Sequence, residues 1–233
     1  MHARNLNQTS SIRIISKQKL TNTPIPMTTR QLTGSERNVK RAFDFLTSLT
    51  VLLLILPVMV AVAIAIKLDS RGSVFFKQLR VGKNGKLFKM YKFRSMVVNA
   101  EALQQAVNEV DEDGNTIHKT RHDPRITRMG RFIRKFSLDE LPQFINVLKG
   151  DMSLVGPRPE LPWLVDQYQP WQRQRFEVQQ GITGWWQING RSDKPCHLNT
   201  DQDIHYIENF SFWFDVKILL KTIPALIRGK GAF

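Results

Sequence analysis

A single cysteine, Cys196, occurs in the chain, so no intramolecular disulfide can form. That excludes a cystine-stapled scaffold and fits a reducing compartment. His197 follows it and His205 lies nearby, but the paired spacing of a zinc site is absent. No internal repeat is present. The first 36 residues lack an apolar stretch of signal-peptide length. They are rich in Ser, Thr, Asn and Gln, with scattered basic residues, and read as a disordered polar tail rather than an export signal. A short interfacial stretch around Ile12 to Ile15 is a weak signal within it. Acidic residues are scarce: 20 Asp and Glu face 34 Lys and Arg, giving a net charge of +14. Such an excess favours anionic partners, whether nucleic acid, lipid headgroups or nucleotide phosphates, and does not choose among them.

What the chain has is apolar mass in one place. Hydrophobic residues make up 42% of the 233, enough for a buried core. Leu49 to Ile66 is apolar at every position except Thr50. Eighteen helical residues span about 27 Å, slightly less than the ~30 Å hydrocarbon core of a bilayer. Length alone favours a single transmembrane helix, and a buried core helix is the other bland reading. Two features argue for a re-entrant hairpin instead. Pro57 lies at the centre, where its missing N–H and crowded ring favour a sharp bend. Basic residues flank both ends: Arg37, Lys40 and Arg41 before the run, Lys67, Arg71, Lys77 and Arg80 after it. The positive-inside bias puts both flanks on the cytoplasmic side.

Beyond the run, Val74–Phe76 and Leu87–Phe93 read as strands joined by a turn at Gly82-Lys83-Asn84-Gly85. Met96–Val110 reads as a helix, and 109–120 as a surface loop with a turn at Asp113-Gly114-Asn115. Arg125, Arg128, Arg131 and Arg134 repeat every three residues and form a cationic helical stripe, either a solvated face or one lying along a membrane. Further helices are expected over Leu138–Leu148, Leu161–Tyr168, Trp171–Val178 and the aromatic, amphipathic Phe210–Ile227. The expected fold is α+β and mostly helical. It is that of a monotopic membrane protein with a re-entrant helical hairpin, amphipathic interfacial helices and a small β element. The expected division is a polar tail (1–36), a membrane helix (37–72) and a cytoplasmic catalytic domain at the interface (73–233).

The most informative stretch is SLDELPQFINVLKGDMSLVGPRP, from Ser137 to Pro159. Ser137 and Glu140 have capping-box spacing, which by itself accounts for an acidic pair at a helix start. The company of the pair points further. A carboxylate at a helix N-terminus, near cations, stays ionised and can attack phosphorus to form an acyl phosphate. Asp139 is the candidate nucleophile, with Glu140 as its partner. Both are candidate ligands for Mg²⁺, which commonly bridges carboxylates to substrate phosphates. Arg158, between Pro157 and Pro159, is pre-oriented to neutralise phosphoryl oxygens, and Gly156 permits a close approach. Lys92 and Arg94, with Ser95 in YKFRSM, and Arg191 after Gly190 are further candidates for phosphate binding; each alone is more often a surface charge.

Taken together, KRAFDF (40–45), YKFRSM (91–96), the segment from Asp123 to Glu160 and GITGWWQINGR (181–191) resemble the bacterial sugar transferases, the small monotopic phosphoglycosyl transferases. The resemblance runs from about Lys40 to the C-terminus. It implies transfer of a phosphosugar from a UDP-sugar to a polyprenyl (undecaprenyl) phosphate at the cytoplasmic face of the inner membrane. It further implies release of UMP, Mg²⁺ as the cofactor and the start of lipid-linked glycan assembly. It assigns Asp139 as nucleophile, Glu140 to metal positioning or general base, and Arg158, Lys92 and Arg94 to phosphate binding. The C-terminal segment resembles hexose-1-phosphate transferases of exopolysaccharide pathways, which favours UDP-glucose or UDP-galactose over a UDP-N-acetylhexosamine. Leu56 stands where some members carry a serine before the membrane proline, and only a polar tail stands where larger relatives have further membrane helices. A homodimer is left open. The competing classes are a basic nucleic-acid binder, which the apolar run does not suit, and a non-catalytic membrane scaffold.

Overall fold

A computed structural model describes residues 33–100, 102–103, 109–110, 116–117, 123–189 and 199–227. Within them the chain is mostly helical, with small two-stranded sheets. Helix α1 (Gly34–Asp69) starts where Thr33 and Glu36 close a capping box. Residues 33–36, expected to end the polar tail, therefore open this helix instead, and the rest of that tail lies outside the described residues. Helix α1 runs through Pro57, which cannot donate to the carbonyl of Leu53. Leu53, Leu54, Leu56, Val58 and Val60 around the proline are exposed. Both ends are docked. Near the start, Arg41 donates to the carbonyls of Val147 and Leu148 at 2.5 and 2.8 Å. Phe43 meets Phe212 edge-on at 5.1 Å. Near the end, Met59, Val62 and Ile66 join Phe93 and Ile133 in one buried cluster. Among the described residues this is the one helix long and apolar enough to cross a membrane.

Strands β1 (Phe75–Val81) and β2 (Leu87–Phe93) form an antiparallel hairpin, with Phe75 opposite Phe93 and Val81 opposite Leu87. The first is longer than its apolar start suggested, because pairing carries the polar Lys77-Gln78 into the ladder. The helix expected over Met96–Val110 does not form in the described residues. Met96 bridges to Ile126 instead, the chain turns at Val97–Ala100, and β3 (Glu109–Val110) pairs with β4 (Thr116–Ile117). Long-range hydrogen bonds override helix propensity here: Val97 N–H donates to the Arg125 carbonyl at 2.8 Å, and the Arg125 guanidinium takes the Ala100 carbonyl at 3.0 Å. The turn expected at Asp113-Gly114-Asn115 lies outside the described residues.

Helix α2 (Arg128–Lys135) is capped by Thr127. The arginine stripe is divided. Arg125 precedes the helix and is buried against Asp123 at 2.6 Å. Arg134 turns inward to the Ser95 hydroxyl at 2.9 Å. Arg128, Arg131 and Lys135 stay exposed beside Phe132 and Phe136. After a 3₁₀ turn (Leu138–Glu140), α3 (Gln143–Lys149) ends at Gly150, whose φ of +81° only glycine adopts freely. Then follow β5 (Ser153–Val155), α4 (Pro162–Val165), a 3₁₀ segment (Pro170–Phe176), β6 (Gly181–Thr183), α5 (Trp185–Asn189), α6 (Asp201–Glu208) and α7 (Phe212–Ile227). Of the expected helices, 161–168 shrinks to one turn and 171–178 becomes 3₁₀. The β5–β6 pair is parallel.

A polar knot fastens α1 to this body. Lys40 donates to Asp215 at 2.5 Å and to the Val155 carbonyl at 3.1 Å. The Tyr206 hydroxyl donates to Asp215 at 2.7 Å. Asp44 accepts from the Ser153 hydroxyl and the Leu154 amide. These contacts fix β5, whose end feeds directly into Gly156-Pro157-Arg158.

Candidate active site

The acidic pair sits on the 3₁₀ turn rather than at an α-helix start. Ser137 takes a left-handed conformation (φ 54°) and makes no side-chain cap, so the expected capping box is absent. The reason lies in the Glu140 side chain, which is engaged elsewhere. Its Oε1 accepts from Lys92 Nζ at 2.8 Å and from Arg158 Nη2 at 2.7 Å. Lys92 comes from the end of β2 and Arg158 from the loop after β5, so one carboxylate oxygen joins three segments far apart in sequence. Burial alone would raise the Glu140 pKa; the charges and hydrogen bonds of Arg158 and Lys92 outweigh it and hold the group well below the usual carboxylate range.

Asp139 is different. It is 8% exposed, and no hydrogen bond or ion pair from the described residues holds its carboxylate. Burial pushes its pKa up, Lys92 opposes that most strongly, Glu140 adds to it, and Arg134 and Arg158 also oppose it. The expected helix N-terminus is absent, and the expected cations, Lys92 foremost, oppose burial, which still leaves the Asp139 pKa raised. Lys92 in turn has its pKa lowered, first by its own burial. The result is one carboxylate pinned and anionic beside one that is uncommitted, within a cationic wall.

Of the six candidate residues, the structure brings four together: Lys92, Asp139, Glu140 and Arg158. Arg94 is engaged elsewhere. Its guanidinium donates to the Arg71 carbonyl at 2.6 Å and the Ser70 carbonyl at 2.7 Å, closing the C-terminal end of α1. Lys92 and Arg94 are two positions apart, which on a strand would give them one face, but β2 ends at Phe93 and Arg94 lies beyond it. Arg191 lies outside the described residues, as do Cys196 and His197.

The Pro-Arg-Pro turn is built as a tight crossing. A Cβ at Gly156 would come within 2.2 Å of the Gln179 carbonyl, so no other residue fits without moving the backbone. Three groups missed in the sequence support the turn from behind. Arg80 donates to the Pro159 carbonyl at 3.2 Å, Arg175 donates to the Arg158 carbonyl at 2.9 Å, and Asp203 pairs with Arg175 at 2.6 Å. No local pattern marks them, because their partners lie 17 to 79 positions away.

Among the described residues no group of three or more His, Cys, Asp or Glu side chains is placed to hold a metal. The donor set at the turn still fits Mg²⁺ shared with substrate. Asp139 brings an uncommitted carboxylate, and the second oxygen of Glu140 accepts no hydrogen bond from the described residues. Two adjacent carboxylates plus phosphate oxygens make an ordinary magnesium environment.

The bacterial sugar transferase family model matches residues 35–229. A UDP-glucose:undecaprenyl-phosphate glucose-1-phosphate transferase of Escherichia coli (strain K12) is 41% identical over 221 residues, 90% of this chain and 44% of its own length. A UDP-N-acetylgalactosamine-undecaprenyl-phosphate N-acetylgalactosaminephosphotransferase of Aeromonas hydrophila is 44% identical over 200 residues, 83% of this chain and 45% of its own. The exopolysaccharide production protein ExoY of Sinorhizobium fredii (strain NBRC 101917 / NGR234) is 36% identical over 211 residues, 87% of this chain and 93% of its own. The chain thus spans less than half the length of the first two and nearly all of the third. It belongs to the bacterial sugar transferase family.

Proposed function

We propose that the chain transfers a sugar-1-phosphate from a UDP-sugar to undecaprenyl phosphate and so starts a lipid-linked glycan, in an exopolysaccharide pathway. The observation that carries this reading is the uncommitted, buried Asp139 carboxylate beside a Glu140 pinned by Lys92 and Arg158. The relatives' printed activities support the same class of reaction.

In the first step an Asp139 oxygen bonds to the phosphorus that carries the sugar. The bond from that phosphorus to the bridging oxygen breaks, and UMP leaves with the electron pair. In the second step an oxygen of the lipid phosphate attacks the same phosphorus, the acyl-phosphate bond breaks, and Asp139 returns as carboxylate. Arg158 and Lys92 neutralise the phosphoryl oxygens as charge develops. Glu140 holds both cations in place. Mg²⁺, held by Asp139 and Glu140 with substrate phosphate, would supply further charge neutralisation. The donor is a hexose such as glucose or galactose. The Aeromonas relative, as similar as the E. coli one, makes a UDP-N-acetylhexosamine the alternative.

The site belongs at the cytoplasmic face of the inner membrane. In a straight helix Lys40 and Ile66 are about 39 Å apart. Helix α1 is continuous through this stretch, with Ser48, Met59, Val62 and Ile66 buried on one face and Leu53, Leu54, Leu56, Val58 and Val60 exposed on the other. The exposed apolar face suits lipid, and the basic residues at both flanks of the run support a segment that enters and leaves the bilayer on one side.

Purified protein with Mg²⁺, undecaprenyl phosphate and a panel of UDP-sugars tests the reading. UMP as the released nucleotide is expected; UDP would mean ordinary glycosyl transfer. Asp139→Asn is expected to abolish capture of labelled phosphosugar on the protein, and persistent capture would remove Asp139 as nucleophile.

A further inference from the structure

We infer that Arg175 is a positioning residue for Arg158, holding the phosphate-binding side chain at its working distance by gripping its backbone carbonyl from behind. The inference rests on the catalytic reading above and adds residues to it.

The side chain of Arg175 is completely buried, which is unusual for a guanidinium and costly unless it is paired. Its pairing explains where it sits. Nη2 donates to the Arg158 carbonyl at 2.9 Å and lies 2.6 Å from Asp203 Oδ2, while Nη1 donates to the Tyr168 hydroxyl at 2.6 Å. Glu160 Oε2 is 3.9 Å from Nη1, and Glu160 Oε1 is 3.5 Å from Arg80. Arg80, Glu160, Arg175 and Asp203 form a row of alternating charge behind the turn. The front of Arg158 faces the other way, onto Glu140 at 2.7 Å.

The prolines cannot do this alone. Pro157 and Pro159 fix their own φ, and Pro159 also keeps Arg158 extended. Such restraints set the shape of the turn but not its place in the molecule. Its place is set by anchors outside it: Gly181 N–H to the Pro157 carbonyl at 2.9 Å, Arg80 to the Pro159 carbonyl, and Arg175 to the carbonyl of Arg158 itself. Arg175 is also the link to α6, because Asp203 lies there. Replacing buried charges by apolar groups is often neutral or stabilising, so stability does not account for this row. A misplacement of a phosphate-binding group by about 1 Å is enough to cost two orders of magnitude in rate.

A double-mutant cycle separates positioning from mere structure. UMP release is measured for the parent, Arg175→Lys, Arg158→Ala and the double variant. Lysine keeps the charge but cannot span the carbonyl, the hydroxyl and the carboxylate together. Arg175→Lys is expected to lower kcat/KM about tenfold in the parent and less than twofold where Arg158 is already alanine. An equal loss in both backgrounds, or no loss in the parent, overturns the inference. Should Arg175→Lys fold poorly, Tyr168→Phe and Asp203→Asn, chosen for a Tm near the parent's, carry the same cycle with the same expected pattern. Turnover by the parent with additive losses sinks the positioning role alone. No turnover by the parent with any donor sinks the catalytic reading and the positioning role together.

Discussion

At the scale of single residues, the site is a contrast between two neighbouring carboxylates. Glu140 is depressed and Asp139 raised, because the same cations are hydrogen-bonded to one and only near the other. The proposed nucleophile must be ionised to attack, so on that proposal the acid limb of the rate should fall at a pH above the ordinary Asp range. Lys92 is the largest charge opposing protonation of Asp139. Lys92→Met should therefore move the acid limb of kcat to still higher pH, measured as UMP release across pH 4–8 (about four units, chosen to bracket carboxylate titration). An unmoved limb would exclude Lys92 from that role. Asp139 also carries a folding cost: burying an ionised group without a hydrogen bond is unfavourable. Asp139→Asn should raise Tm while removing phosphosugar capture. The pairing of Asp139 with Glu140, and the presence of Arg158 between prolines, were legible in the sequence because they are local. What holds each group was not. A capping box and a 3₁₀ turn with a left-handed Ser137 share the spacing S-x-x-E, and only the positions of Lys92 and Arg158 in space decide between them.

At the scale of elements, legibility tracked length and periodicity. The long apolar helix, the β1–β2 hairpin and α7 are strong patterns and were found near their places. The three-residue strands β5 and β6 were missed, since so short a segment carries no periodic signal. The helix expected over Met96–Val110 does not form in the described residues, where the Arg125 side chain and backbone take hydrogen-bonding groups of Ala100 and Val97. Helix α1 gives a sharp prediction. With Cys196→Ser as background, Asn38→Cys and Ser73→Cys place one thiol on each exposed flank. In intact cells both should resist a membrane-impermeant maleimide, and both should react once the membrane is opened. Labelling of either one from outside would mean that α1 crosses the bilayer. Exposed Phe132 and Phe136 lie beside the end of α1, through the Asp69 contact to Met129 N–H, and exposed Trp213 beside its start, through Phe43 and Phe212. Aromatic side chains near both ends of α1 suit the headgroup zone.

At the scale of the whole molecule, stability and activity should peak at different pH. Burial first of all raises Asp139, Asp203 and Asp215, with Asp203 brought up to about 6. In each case the folded chain takes up a proton at a pH where the unfolded chain has none. Between the ordinary carboxylate range and about 6 the native state therefore binds more protons, and stability rises as pH falls through that window. Glu140 and Asp123 have the opposite sign. Their folded pKa values are depressed, by the Arg158 and Lys92 contacts overcoming burial in one case and chiefly by the Arg125 hydrogen bond in the other. Their stabilisation is complete above the unfolded values and is lost as pH falls through the folded ones. The two sets together place the Tm maximum at mildly acidic pH, below 6 and above the range where Glu140 and Asp123 protonate. The proposed chemistry has the other requirement, an ionised Asp139, so activity should still be rising where Tm has begun to fall. Thermal melts and UMP release measured on one pH series would show the two curves crossing. Coincident maxima would mean that the buried aspartates do not carry the proton uptake assigned to them.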